Sequence, residues 1–266
     1  MTHNTAYALS ASQTPALPKA PKKPKGEAKQ KVKTQSKTEV KLKSKETKPK
    51  PKMEARITRI DTYLDHLRRD AKDLIGPIRF IVADSFYAKV KFVSGVLGMG
   101  LHLISKLRHD ADLRWLYTGE QKSKGRRRRY AEKVRFDDLS RFEFVAEQDG
   151  QRIYTAIVNS PSFKCNLRIV YLVRKEKGKT YTALLFSTDI NWPALDILRY
   201  YKVRFQIEFL FRDAKQHTGL CDCQATCETA LGFHFNASLS ALNLLRMEDR
   251  DSTKTLRTKI RRNSLS

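Results

Sequence analysis

Between Phe142 and Thr188 the chain carries four β-rich runs, FEFVAE, RIYTAIVNS, LRIVYLVRK and YTALLFST, with Gly150 and Gly178 marking turns between them. Runs of this length, rich in branched and aromatic residues and punctuated by glycine, read as strands of a mostly antiparallel sheet. Helical periodicity lies on both sides. Glu54–Leu74 sets Ile57, Ile60, Tyr63, Leu64 and Leu67 at helical spacing, and Gly76-Pro77 ends the pattern. Ser85–Gly98 reads as a helix with Phe86, Val90, Val93 and Val96 or Leu97 inward. Asn191–Gln216 reads as another, with Asn191 as N-cap and Pro193 in the first turn. Leu231–Met247 is a last apolar helix before a polar tail expected to fray. Two short apolar runs, Ile78–Ala83 and Leu101–Leu107, read as strands, the first buried on both faces. The chain is therefore expected to be α/β, with a β-rich insertion over residues 109–190.

Lys and Arg total 53 against 28 Asp and Glu in 266 residues, a formal charge of +25. Charge of that size implies a polyanionic partner, nucleic acid before a membrane surface. No run of 18 apolar residues spans a bilayer, and the start lacks the apolar stretch of a secretory signal, so a cytoplasmic protein is expected. Residues 17–52 form a Lys/Pro tract. Lys19 to Lys52 holds 14 lysines and three acids, Glu27, Glu39 and Glu46, with no aromatic residue. Such a segment cannot bury enough apolar area to offset its ordering entropy, so it reads as disordered. It serves either as a solvated spacer or as a source of nonspecific DNA affinity through counterion release. Arg126–Arg129 is a second basic cluster, in a turn. Cys165, Cys221, Cys223 and Cys227 are too few for a disulfide framework. The Cys-x-Cys-x3-Cys spacing, with His217 and His234 nearby, matches no zinc module, and incidental thiols are the better reading.

The stretch YYKVRFQIEFLFRDAK holds Tyr201, Arg204, Glu208 and Lys215 in a Tyr-x2-Arg-x3-Glu-x6-Lys pattern. On a continuous helix all four fall within a sector of about 60°. Arg212 flanks the same stripe. One acid is thereby aligned with an aromatic ring and three cations, which suits a metal ion held beside a polyanion. The bland alternative is an exposed face with Arg204–Glu208 and Glu208–Arg212 salt bridges. Ile207, Phe209 and Leu210 opposite the stripe, with Phe205 and Phe211 at its borders, predict a buried helix that keeps one polar stripe for a site.

Asp84 follows the apolar run Ile78–Ala83 at its C-terminal end, a common site position in α/β folds. It is equally a favoured helix N-cap. Paired with Glu208 it would supply two carboxylates for Mg²⁺ (or Mn²⁺), hard ions that prefer oxygen ligands. Two such ions would activate a nucleophile and stabilise the leaving oxygen of a phosphoryl transfer.

On these residues the chain resembles the DDE-class transposases of bacterial insertion sequences, in the insertion-sequence-four family. The Tyr201/Arg204/Glu208/Lys215 signature matches at every position, and FIVADSFY (80–87) is similar to the second-aspartate motif. The resemblance covers about residues 3–16 and 54–248. It implies an RNase H-like core interrupted by a β-rich insertion, acting by Mg²⁺-dependent cleavage and strand transfer at the element's ends. It implies Asp84 and Glu208 as second and third acids of the triad and as metal ligands. Arg204 and Lys215 would contact DNA phosphates, and Tyr201 would hold the strand end; Arg212 joins them on helix geometry alone. The first Asp of the triad is expected upstream of NTAYALSASQTPA, and no acid occurs before Glu27. The expectation is thus an N-terminally truncated and inactive copy, or a non-catalytic DNA-binding regulator derived from a transposase. Its partners would be DNA and full-length transposase. The expected division is a remnant core strand (1–16, around Ala6-Tyr7-Ala8-Leu9), the basic linker (17–52), first core part (53–108), insertion (109–190), C-terminal core helices (191–248) and tail (249–266).

Overall fold

The computed structural model describes residues 6–9, 11, 57–74 and 78–263; the Lys/Pro tract lies outside them. Helix α1 (Arg59–Leu74) opens the folded part. Asp61, its third residue, accepts from the Thr58 backbone N–H at 2.8 Å, the reciprocal half of a capping box. Asp61 also pairs with Lys91 of α2 (Val90–Gly98), and with Thr58 this holds its carboxyl down at about 2. The two helices approach closely at Gly95, where a Cβ would stand 2.6 Å from Leu64 Cδ2. Ile60 and Leu64 are buried in that contact, but Ile57 precedes the helix and is exposed, against the expected inward position.

Strand β1 (Phe80–Val82) runs parallel to β2 (His102–Leu107), with Phe80 opposite His102 and Val82 opposite Ile104. It is shorter than Ile78–Ala83, and its residues are half-buried rather than covered on both faces. The remaining strands are β3 (Arg114–Leu116), β4 (Tyr130–Lys133), β5 (Glu143–Gln148), β6 (Gln151–Ser160), β7 (Cys165–Glu176) and β8 (Lys179–Ser187). They pair antiparallel, in the sheet order β1-β2-β8-β7-β6-β3-β4 with β5 also on β6. The expected antiparallel texture is present, in one mixed sheet that continues through the β2–β8 pairing. Two hairpins turn on residue pairs with positive φ, Asp149-Gly150 (51° and 69°) and Lys177-Gly178 (49° and 74°). These left-handed pairs match the right-handed twist of the strands they join.

Alternation along the central strands divides the core. Leu103, Leu167, Ile169, Leu184 and Phe186 face α1 and α2. Ile104, Val170, Leu172 and Leu185 face Ala194, Ile197 and Leu198 of α3 (Ala194–Val203). Helices on both faces of a mixed sheet make a three-layer α/β architecture. A third, smaller cluster joins Leu210 and Ala214 of α4 (Gln206–His217) to Leu239 and Leu242 of α5 (Glu228–Asn263).

Several local expectations are corrected. The helix expected over Asn191–Gln216 is two helices, parted at Arg204-Phe205 by short-range bonds such as Arg204 N–H to Tyr201 O (3.2 Å) and Glu208 N–H to Phe205 O (3.0 Å). The first of them starts at Ala194, so the cap position is Pro193, and Asn191 lies two residues earlier in a turn where its N–H donates to Asp189 at 3.0 Å. Ser85–Gly98 likewise divides into a single 3₁₀ turn (Ser85–Tyr87) and α2. The inward phase therefore moves to Phe92, Val93 and Val96, leaving Phe86 and Val90 exposed. The final helix continues to Asn263, where fraying was expected; extending a formed helix costs less than nucleating one. Residues 6–9 form no strand. Side chains of α5 hold them instead: Asn243 brackets Ala8, accepting its N–H at 2.9 Å and donating to its carbonyl at 2.5 Å.

Candidate functional site

Asp84 stands just past β1. Its carbonyl accepts from Ser105 Oγ at 2.7 Å, and its Oδ1 accepts the Phe86 N–H at 2.9 Å. The residue is thus an N-cap and an exposed carboxylate at a strand end at once. One oxygen is engaged by the turn, and the backbone is pinned to β2. The cap geometry fixes where the carboxylate points.

The second half of the site depends on how α3 is fastened. Asp189, buried, accepts from Arg79 Nη2 at 2.5 Å. The same guanidinium lies 5.2 Å from the Trp192 ring and 5.5 Å from Phe80. Trp192 stacks on Tyr200 at 5.8 Å and tilts against Phe80 at 4.7 Å. This knot ties the start of α3 to the start of β1, so the last turn of α3, with Tyr201, is carried to the end of the strand that bears Asp84. Tyr201 is half-buried and, like Val82, packs against the cluster of Ile104, Leu185 and Ile197. Burial pushes its hydroxyl above the usual phenol value; Arg204 beside it pulls the value back, and the Asp84 carboxylate adds to the rise.

Arg204 occupies the break between α3 and α4 and touches three partners. Its guanidinium carbon lies 5.7 Å from the Tyr201 ring and 4.8 Å from the Phe205 ring. Its Nη2 is 3.8 Å from Glu208 Oε1. That separation exceeds hydrogen-bond range, so the pair contributes little. Arg204 Nε is buried and has no hydrogen-bond partner among the described residues. The guanidinium is largely covered and keeps this one donor unused. Arg212 does not pair with Glu208; it lies 3.3 Å from Asp213 and over the Phe209 ring at 4.9 Å. Lys215 is exposed in the last turn of α4. Contacts therefore join Tyr201, Arg204 and Glu208, while Asp84 reaches the group only through its charge on Tyr201, and Arg212 and Lys215 lie further along α4.

The exposed faces of α4 overturn the expectation of a buried helix. Phe205, Ile207, Phe209 and Phe211 are all exposed, and only Leu210 and Ala214 are buried. Past the break, the buried residues of α4 join the cluster with α5 instead of the sheet-facing cluster of α3. Nothing in the periodicity signalled this, because it runs unbroken through Arg204.

Two solvent-facing carboxylates are suitable oxygen donors for Mg²⁺, which binds through one or two carboxylates and keeps several waters. Among the described residues no group of three or more His, Cys, Asp and Glu is gathered to hold a metal. This includes the cysteines, all free. No helix among the described residues is long and apolar enough to cross a membrane.

Asp84 thus lies at a strand end, and Tyr201, Arg204 and Glu208 lie around the α3–α4 break. The chain matches the family model of the transposase DDE domain over residues 16–244. It belongs to that family, whose members are transposases acting on DNA and generally use divalent metal ions. No curated protein matches the chain.

Proposed function

We propose that the chain belongs to the insertion-sequence-four branch of the family and works on DNA in the cytoplasm, through a site made by Asp84 and Glu208. The parallel β1–β2 pair with α1, α2 and the C-terminal helices would be the RNase H-like core, and residues 109–190 its insertion. Tyr201, Arg204, Arg212 and Lys215 would hold the DNA strand. The observation that carries this reading is Arg204: one guanidinium meets Tyr201, Phe205 and Glu208, while Tyr201 senses Asp84. A divalent ion at the two carboxylates would supply charge neutralisation and an activated water or 3′-hydroxyl. The chain's own residues orient the strand. Arg204 and Lys215 receive phosphate oxygens, and the pinned cap of Asp84 holds one acid in place.

Two carboxylates are fewer than a two-ion site uses, and this favours a second reading for the chain on its own: a DNA-binding regulator that does not cut. Supercoiled plasmid bearing the element's ends, incubated with Mg²⁺ or Mn²⁺ and either the native chain or Glu208→Gln, separates the two. Background nicking by both supports the silent regulator. Nicking by the native chain that Glu208→Gln abolishes establishes catalysis and means another group supplies the third ligand.

A further inference from the structure

We infer that the loop between β3 and β4, residues 117–129, is a second and separate DNA contact, a pre-ordered arginine tip that takes the phosphate backbone of a duplex about 24 Å from Asp84. The inference rests on the DNA reading above and adds to it a site away from the two carboxylates. The loop holds six cations, Lys122, Lys124 and Arg126–Arg129, against one acid, Glu120. Every residue from 118 to 129 is exposed. On and around the same sheet, other exposed arginines sit beside acids: Arg108 with Asp110, Arg152 with Glu147, and Arg174 with Glu176. Among the described residues Lys122, Lys124, Arg126, Arg127 and Arg129 have no ion-pair partner. Crowding like charges on one loop costs free energy, and a polyanion offsets that cost.

The loop is nonetheless ordered. The Gln121 side chain brackets the Arg128 backbone: its Nε2 donates to the Arg128 carbonyl at 2.8 Å and its Oε1 accepts the Arg128 N–H at 2.9 Å. The Arg128 guanidinium is spent on the loop itself. Its Nε donates to the Tyr130 carbonyl at 3.0 Å, and its carbon lies 4.7 Å from the Tyr117 ring. The Tyr117 hydroxyl donates to the Glu120 carbonyl at 2.9 Å. Gly125, with φ of 101°, turns the tip in a conformation open to glycine. One arginine thus secures the loop and leaves five cations to solvent. A duplex carries about one charge per 1.7 Å of its axis at fixed spacing, so a fixed set of cations meets it with little ordering of either partner.

Backbone register places the loop relative to the candidate site. Val82, Ile104, Ser187, Arg168 and Ile157 stand in one row across β1, β2, β8, β7 and β6. Trp115 of β3 stands opposite Val158, the next residue of β6. Strands β1, β2, β7 and β3 run in the same sense, so Asp84 past β1 and the loop past β3 leave the sheet at one end. Five strand spacings separate them, about 24 Å or about seven base pairs. The β7–β8 turn projects from the same end between them and carries exposed Lys175, Lys177 and Lys179. A duplex with its strand end at Asp84 would reach the arginine tip along a cationic path.

The test follows binding of a random-sequence duplex, three helical turns long, to the full chain by anisotropy over a salt series. Each phosphate contact adds about 0.9 to the slope of log K against log salt, so replacing Arg126, Arg127 and Arg129 together by alanine should lower the slope by about 2–3 and weaken binding at 0.1 M salt roughly 100-fold. Replacing Lys22, Lys23 and Lys25 of the Lys/Pro tract removes the same charge and should cost far less. Gln121→Ala removes no charge; it should keep the slope and weaken binding about threefold or more, because the loop must then be ordered on binding. Equal losses in the two triple variants overturn the site, the loop then acting through net charge alone, and leave the DNA reading standing. Unchanged affinity in Gln121→Ala overturns the pre-ordered tip. Polyglutamate that competes as well as the duplex at equal charge, with the same dependence on the loop arginines, overturns it in favour of an acidic protein partner. A native chain with no salt-dependent duplex binding overturns both readings.

Discussion

Helices α3 and α4 arise from one continuous stretch of sequence with one hydrophobic rhythm, yet they do opposite things. In α3, Ala194, Ile197 and Leu198 are buried on the sheet, and the Arg79/Asp189/Trp192 knot fixes the helix start. In α4, Ile207, Phe209 and Phe211 are exposed, as is the cap residue Phe205, and Leu210, Ala214 and the Asp213–Arg246 pair hold the helix to α5. The difference lies in what is available to cover each. The sheet has one free face, and α3 takes it. The turn at Arg204-Phe205 then directs α4 outward, past the edge of that face. Apolar periodicity therefore reports a capacity for burial, and the topology decides whether the capacity is used. Where it goes unused, beside an acid and a row of cations, the surface is available for a ligand.

The sharpest way to break the comparison is to truncate one side chain in each helix. Ile197 is fully buried, so Ile197→Ala should destabilise the fold by about 2–5 kcal/mol. Phe209→Ala removes a larger side chain from an exposed position and should stay within about 0.5 kcal/mol. Urea midpoints of the two variants against the native chain measure both. A Phe209→Ala loss as large as that of Ile197→Ala would show that α4 is packed after all.

A smaller effect tests how α4 is held. Arg246 of α5 donates to Asp213 Oδ2 at 2.7 Å and also to the Ala6 carbonyl, joining α4, α5 and the N-terminal segment. Arg246, with Arg212, holds the Asp213 carboxyl below its ordinary value. A depressed carboxylate contributes stability above its unfolded value, about pH 3.9, and loses it as pH falls through the folded one. Arg246→Ala should cost about 1 kcal/mol at neutral pH, the pair being partly exposed. The deficit should shrink in acid to the part contributed by the Ala6 carbonyl contact. A deficit independent of pH would assign the role of Arg246 to its carbonyl contact alone.

What was legible in the sequence follows the same division. The sheet was readable because strand alternation and the Gly150 and Gly178 turns are local signals, and the hairpins obey them. Asp84 at a strand end was readable for the same reason. Arg204, Glu208 and Tyr201 stay together because the spacing across the break is short. The break itself was not legible: no glycine or proline marks Arg204-Phe205, and its cause is tertiary. The α3 half is anchored to the sheet while Leu210 and Ala214 must meet Leu239 and Leu242. Arg212 was placed beside Glu208 by angle alone, and the adjacent Asp213 took it instead. The cap at Asn191 failed because the helix starts at Ala194, two residues later than a cap at Asn191 requires.

The smallest expected signal bears on whether the two sides of the break share one site. Tyr201, in the last turn of α3, is the reporter. Burial raises its hydroxyl, Arg204 lowers it and Asp84 raises it further. The signs of the variants follow. Arg204→Ala removes a cation that favours phenolate and should move the titration up. Asp84→Asn removes an anion that opposes phenolate and should move it down. Mg²⁺ held near Asp84 and Glu208 would add positive charge and also move it down, in the native chain but less in Asp84→Asn. Ring-labelled tyrosine followed by NMR, with Tyr201→Phe to assign the resonance, reads each shift on the folded protein without requiring any cleavage. Opposite movements in Arg204→Ala and Asp84→Asn would place strand end, broken helix and cation within one electrostatic neighbourhood. A Tyr201 titration indifferent to Asp84→Asn would remove the strand-end acid from that neighbourhood. Glu208 would then be left on an exposed helix with Arg204 as its counter-charge, which is the plain salt-bridged face.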